Sequence, residues 1–371
     1  MKFSVSSAEL FSSIQLAGGA IGTNPVLPIL EDFLFVLKGD NLTVTATDLE
    51  TSIITTLDVS GEEDGVIAVP ARILIDTVKA LPEQPLTFDV NAETNGITIT
   101  SSYGNYRLAG DDGSDFPDLP SQDNVQEVEL PSSVIGRGIS KTIFSTANDE
   151  LRPAMSGVYV TFEADTVTFV ATDGHKLVKY TFTIGKSNAM ASFIAPKKSL
   201  NLVKNAMIDG ETTSLAFNKS NAFFSVSGTQ YICRLIDSKF PDYNAVIPVN
   251  NPNEMVIGRM DLLNSLKRNA IYANKTTNQV VLNMADNALE VSSQDLDFSN
   301  EAKESLTCTY GGTPIMIGFN ARFLIEMLGV LESDEIKLEL SEPNSAGILC
   351  PSIENEGEKI IMLVMPVMMK R

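Results

Sequence analysis

The chain has 371 residues, a formal net charge of −20 at pH 7 and 43% hydrophobic residues. That length suits two or three domains of about 100–200 residues each, and no apolar run reaches the roughly 18 residues that a membrane helix needs. The three cysteines (Cys233, Cys308, Cys350) form no C-x-x-C pair, so they read as buried reduced thiols of a cytosolic protein and not as a disulfide framework.

The start, residues 1–11, lacks the apolar core of a signal peptide, which points to a chain that stays in the cytoplasm. Residues 8–20 place Leu10, Ile14 and Ala17 at helical spacing. Residues 41–47 and 53–59 alternate with period two and predict half-buried strands. A second helix is expected over 71–81, where Leu74, Val78 and Leu81 share a face behind Pro70, a residue suited to a helix start. Further helices are expected near 132–147, 197–208, 259–274 and 321–331. One helix followed by several strands, repeatedly, excludes a βαβ parallel sheet. It predicts an α+β fold of antiparallel sheets with helices on one face.

The same module is written three times. Thr45-Ala46-Thr47-Asp48 returns as Val170-Ala171-Thr172-Asp173, and Ser114-Asp115-Phe116-Pro117-Asp118 returns as Ser238-Lys239-Phe240-Pro241-Asp242. Pro70-Ala71-Arg72 aligns with Pro196-Lys197-Lys198 and again with Asn320-Ala321-Arg322. The spacing of roughly 125 residues is too long for a solenoid, whose units run about 20–50, and marks a duplicated domain. Domains are expected over 1–122, 123–248 and 249–371, each with two helices.

Charge is unevenly shared. An acidic total argues against nucleic acid, yet the six expected helices are together net positive and the remainder is strongly acidic. If the helices face one way, one surface holds phosphates by charge without reading bases. Two other readings stand beside this one. An acidic self-associating scaffold needs no DNA, and a hydrolase using Asp173 and His175 needs a nucleophile. No G-x-S-x-G, catalytic cysteine signature, phosphate-binding loop or zinc-ligand cluster accompanies His175, the single histidine. No catalytic residue, metal or cofactor is expected.

Six segments, in register with the repeat, carry a family resemblance. They are Pro25 to Leu30, Val69 to Arg72, Val170 to Leu177, Phe240 to Tyr243, Ile317 to Asn320 and Val364 to Pro366. In them the chain resembles the bacterial replicative sliding clamps, the β subunits of DNA polymerase III. The resemblance implies three clamp-fold domains, with two helices per domain facing inward and the sheets outside. It also implies a head-to-tail homodimer closed as a ring on duplex DNA, without sequence specificity or catalysis.

The resemblance implies three sets of residues. Dimer contacts fall on Tyr106 and Leu108 of a first-domain strand and on Ile271 and Tyr272 of the third domain. A pocket for short Gln-x-x-Leu-x-Phe segments of polymerases, clamp loader and repair proteins is lined by Met155, Thr172, Gly174, His175, Lys176 and Leu177. Pro241, Val246, Asn320 and Phe323 continue it, and Leu363, Val364, Met365, Pro366 and Val367 close it. Position and helix charge nominate Arg72, Lys79, Arg137, Lys141 and Arg152 for DNA, with Lys197, Lys198, Lys204, Lys267 and Arg268. Asn24, Pro153, Ala154 and Ala245 depart from the residues usual in the family, and the tail 368–371 is longer and more basic.

Overall fold

The computed structural model describes residues 1–149, 151–185 and 190–369, so Lys370 and Arg371 of the basic tail lie outside the described residues. Six α-helices form among the described residues: α1 (Ser7–Ala17), α2 (Ala71–Ala80), α3 (Ser132–Thr142), α4 (Lys197–Ala206), α5 (Arg259–Tyr272) and α6 (Ala321–Val330). Each begins within a residue of the expected start. Two stop early because a 3-10 turn takes over, at Gly18–Ala20 after α1 and at Ile143–Ser145 after α3.

The chain packs as two compact units, Met1–Ser133 with Lys198–Leu235, and Val134–Lys197 with Ile236–Arg371. The first holds a five-stranded sheet in the order Ser60–Glu63, Lys2–Ser6, Pro85–Asn91, Gly96–Ser101, Gly104–Ala109. It also holds an eight-stranded sheet: Gln126–Pro131, Thr212–Phe217, Asn221–Val226, Thr229–Arg234, Thr51–Asp58, Asn41–Thr47, Asp32–Lys38, Gly65–Pro70. The second unit has a nine-stranded sheet: Ala191–Pro196, Gly157–Phe162, Thr166–Thr172, Lys176–Thr183, Glu358–Val364, Gly347–Pro351, Glu335–Leu340, Asn253–Gly258, Thr309–Tyr310. Its four-stranded sheet runs Asn300–Thr307, Ala288–Asp295, Gln279–Ala285, Ile315–Asn320.

Both long sheets are made by joining repeats. Thr229–Arg234 pairs with Thr51–Asp58, register Tyr231 to Ile53, so strands of the first and second repeats share backbone hydrogen bonds. Glu358–Val364 pairs with Lys176–Thr183, register Leu363 to Leu177, and joins the second repeat to the third. Each join covers edges that would otherwise expose unpaired N–H and C=O groups. The compact units therefore cut across the repeats.

Pro70 precedes α2, as expected. It is the last residue of the edge strand Gly65–Pro70 and occupies the position before the helix. Pro196 does the same for α4 on the edge strand Ala191–Pro196. Edge strands tolerate proline because one side of the backbone needs no partner. The third repeat replaces the proline with Asn320, whose side chain caps α6 by accepting from Arg322 N at 3.0 Å.

Helix burial follows the apolar stripe. In α1, Leu10, Ile14 and Ala17 are fully buried, and the Ser13 hydroxyl bonds that of Thr55 on the sheet. In α2, Leu74 and Val78 are buried while Arg72 and Lys79 face outward. Each buried leucine, isoleucine or valine among them contributes about 1.5–3 kcal/mol.

Candidate functional site

The strand end 172–176 is a turn fixed by short side chains. Asp173 Oδ1 accepts from His175 N at 2.8 Å and Lys176 N at 2.9 Å, while Thr172 Oγ1 accepts from Gly174 N at 3.1 Å. Gly174 has φ of +88°, a region open to glycine at little cost. The first repeat builds the same turn: Asp48 Oδ1 accepts from Glu50 N at 3.0 Å and Thr51 N at 2.7 Å. Asp173 thus holds the backbone through Oδ1, while its Oδ2 lies 3.7 Å from the Lys176 ammonium. His175 is exposed and stacks on Phe323 with ring centroids 6.3 Å apart, and no acid among the described residues orients it. No group of three or more His, Cys, Asp or Glu placed to hold a metal occurs among the described residues.

The C-terminal strand lies against this turn. Lys176 pairs with Val364 and Leu177 with Leu363; the chain then continues with Met365 N donating to His175 O at 2.9 Å and Val367 N to Gly318 O at 2.8 Å. Leu177 and Leu363 are buried in one apolar cluster with Val170, Ile194, Phe240 and Ile348. Tyr159, Tyr243, Ile247 and Ala154 pack on it half-buried. Tyr159 stacks on Phe240 at 4.7 Å. Sequence reading missed Tyr159, Tyr243 and Ile247, since a lone apolar residue in a strand or loop carries no periodic signal.

A second patch surrounds Lys176. This lysine is 5% exposed, with its ammonium 2.5 Å from Glu326, 4.7 Å from the centroid of the Phe323 ring and 5.5 Å from that of Phe144. Cation and ring offset the loss of hydration. Met365 is 42% exposed and Val246 56%, so each offers apolar surface to solvent. Met155 and Pro241 are half-buried, and Pro366 and Val367 complete the segment. The Asn320 carboxamide oxygen is committed to its helix cap and is not offered to a ligand.

The basic candidates divide sharply. Arg72, Lys79, Lys204 and Lys267 form no ion pair among the described residues, and Lys197 has only a 3.4 Å bond to Asn148. Lys198 bonds Asp48 and the Ala20 carbonyl, and Arg268 is held by Glu304 at 2.6 Å. Arg137 and Lys141 were expected on a phosphate-facing helix surface, but acids claim both. Arg137 meets Glu358 at 2.8 Å and Glu332 at 3.0 Å; Lys141 is buried, 2.8 Å from Glu332, and also donates to Val330 O. The Lys141 ammonium, then burial opposing it and the Arg137 contact, leave the Glu332 carboxyl net below its usual range. Arg152 lies on no α-helix. It hydrogen-bonds Asp149 at 2.8 Å and Asp173 O at 3.2 Å, at the rim of the turn 172–176.

Of the proposed interface residues, Tyr106 and Leu108 are half-buried on Gly104–Ala109, the terminal strand of the five-stranded sheet. Ile271 and Tyr272 end α5 and are 65% and 43% exposed.

Three family models match successive stretches of the chain: DNA polymerase III beta subunit, N-terminal domain over 1–120, central domain over 129–242 and C-terminal domain over 244–367. The beta sliding clamp of Vibrio cholerae is 30% identical over 370 residues, covering 99% of this chain and all of that protein. A crystal structure of the DNA polymerase III subunit beta from Pseudomonas aeruginosa superposes with a TM-score of 0.94 at 25% identity, covering both chains fully. The sliding clamp of the same organism bound to griselimycin gives 0.93 at 26% identity, again with full coverage. The chain belongs to the DNA polymerase III beta subunit family, the sliding clamps of replication.

Proposed function

We propose that two copies of this chain close head to tail into a ring around duplex DNA and tether the replicative polymerase to it. The three domains, over 1–122, 123–248 and 249–371, act by topology, with no bond made or broken and no cofactor, in the cytoplasm. The observation that carries this reading is the match of all three family models, in order, across the chain. The free strand Gly104–Ala109 supports closure through Tyr106 and Leu108 against Ile271 and Tyr272 of a second copy, because an unpaired edge is a template for pairing.

Arg72, Lys79, Lys197, Lys204 and Lys267 are the residues proposed to contact phosphates, since their charge meets no acid among the described residues. Lys198, Arg268 and Arg152 contribute less, being paired already. A few weak, sequence-blind contacts suit sliding. The Gln-x-x-Leu-x-Phe segments of polymerase, clamp loader and repair proteins are proposed to dock where the Leu177–Leu363 cluster meets Lys176, Phe323 and Met365. The apolar cluster takes the leucine and aromatic side chains, and the methionine adapts to varied partners.

The test is retention on DNA. Protein loaded on closed circular DNA should stay bound and be lost when the circle is cut. Equal retention on both forms would leave the acidic scaffold as the better reading. Turnover of an ester or peptide substrate, abolished by His175→Ala, would instead support the hydrolase.

A further inference from the structure

The strands Ala288–Asp295 and Asn300–Thr307 pair antiparallel as far as Asp295 opposite Asn300, and residues 296–299 make the turn between them. Turns favour small and polar residues, yet here Leu296 is 77% and Phe298 73% exposed. The turn is nevertheless held in shape. The Asp295 carboxylate, 2% exposed, accepts at Oδ1 from Asp297 N at 3.2 Å and from Asn274 Nδ2 at 3.3 Å. Ser299 closes it with a left-handed φ of +56°. A buried acid thus fixes the backbone that presents two large apolar side chains to water.

Asn274 stands two residues beyond Tyr272, so its bond to Asp295 ties the turn to the end of α5. Ile271, Tyr272, Leu296 and Phe298 are therefore gathered at one end of the unit, and exposed apolar surface of this kind marks a contact with another molecule. The strand that follows, Asn300–Thr307, ends the four-stranded sheet, and its outer edge pairs with no strand among the described residues. Its charges are largely matched inside the chain: Lys303 lies 2.8 Å from Glu290, and Glu304 2.6 Å from Arg268. Lys275, Asp297 and Glu301 remain as exposed charges of mixed sign around the turn.

We propose that Leu296 and Phe298 anchor a second copy of this chain, which makes self-association an apolar contact and not an ionic one. This rests on the closure described above and adds to it a contact site and the force that holds it. The occupant is a second copy because the turn continues the surface of Ile271 and Tyr272, leads into an open strand edge, and finds its complement on the same chain. Antiparallel pairing of Asn300–Thr307 with the other terminal strand, Gly104–Ala109, sets the turn at the start of the one beside the end of the other. Past that end, Asp111 and Ala68 exchange backbone hydrogen bonds at 3.0 Å each, which brings the chain alongside Gly65–Pro70, where Val66 is 52% exposed. Val66 and the half-buried Leu108 give that end an apolar surface. Gly104–Ala109 carries Arg107 as its one charge, and a single exposed ion pair is worth little.

Sedimentation of the full chain over a dilution series tests this. Phe298→Ser and Leu296→Ser should each weaken self-association about tenfold or more, the factor that roughly 1.4 kcal/mol of lost apolar burial gives. Raising sodium chloride from about 0.1 M to about 1 M should leave the native association constant within about twofold, although the screening length falls from roughly 10 to 3 Å. Circular dichroism checks that the variants fold; should either not fold, the salt series on the native chain decides. A native dimer that neither substitution weakens, or that loosens about tenfold in the higher salt, overturns the apolar anchor and leaves closure standing. A native chain that sediments as a monomer throughout overturns both.

Discussion

The ammonium of Lys141 lies 2.8 Å from Glu332, and the lysine side chain is 8% exposed. A buried ammonium keeps its charge only if acceptors replace its water, and here the carboxylate and the Val330 carbonyl do so. Its charge is therefore structural. Glu332→Ala should destabilise the fold by about 1–3 kcal/mol, less than for a fully buried pair because the carboxylate side is more than half exposed. The midpoint of urea unfolding measures this; an unchanged midpoint removes the structural role.

The same division predicts salt dependence. Arg72→Ala and Lys267→Ala should each lower the slope of log affinity against log salt for duplex DNA by about 1. Lys141→Ala should leave that slope unchanged. A slope that responds to Lys141 and not to Lys267 reverses the assignment.

Acid stability follows from Glu332. Its carboxyl is held below its usual range by Lys141 first, with burial opposing the shift and Arg137 adding to it. The contribution is present above the unfolded pKa and lost as pH falls through the depressed folded value. Thermal melts should show the native chain losing stability below about pH 4.5 more steeply than Glu332→Gln. Parallel curves for the two proteins dismiss the linkage.

Two turns of one design make opposite predictions. Gly174 has φ of +88° and an added Cβ would stand 2.9 Å from Arg152 Nη1, whereas Leu49 at the matching position has φ of +75°. Gly174→Ala should cost about 1–2 kcal/mol. Leu49→Gly should be neutral or stabilise by up to about 1 kcal/mol, relief of strain exceeding the added chain entropy. Thermal unfolding of the two variants checks the signs.

The ring at Phe323 is shared by His175 and Lys176. Phe323→Ala should weaken binding of a Gln-x-x-Leu-x-Phe peptide about tenfold, roughly 1.4 kcal/mol, as read by fluorescence anisotropy. Unchanged affinity places the peptide elsewhere.

Self-association has its own readout. Changing Leu108 and Ile271 together to aspartate should yield monomers by sedimentation, since each sits where an apolar contact is expected and a charge is costly to bury. A variant that sediments as a dimer contradicts the assignment.

Much was legible in local chemistry. Apolar spacing located α1 and α2, because a stripe at period 3.6 has few other ways to be buried, and the repeat carried that reading to α3, α4, α5 and α6. The repeated Ala-Thr-Asp located the turns at 48 and 173, because a short carboxylate that satisfies its own backbone works in any surroundings. The six segments from Pro25 to Pro366 identified the family, since each has to sit at a fixed place in a repeated module.

What the sequence could not show is which charges survive folding. Arg137 and Lys141 read as solvent-facing because helical spacing puts them on the polar side of α3, but their acids, Glu332 and Glu358, come from about 200 residues further along and are brought there by the long sheet. The apolar cluster of Leu177, Leu363, Phe240 and Ile348 has the same origin, as does the pairing that joins repeats edge to edge. Local pattern set the elements, the turns and the family of this protein. Only tertiary structure decided which cations stay free and which apolar residues meet, because each depends on the approach of groups that sequence separation does not encode.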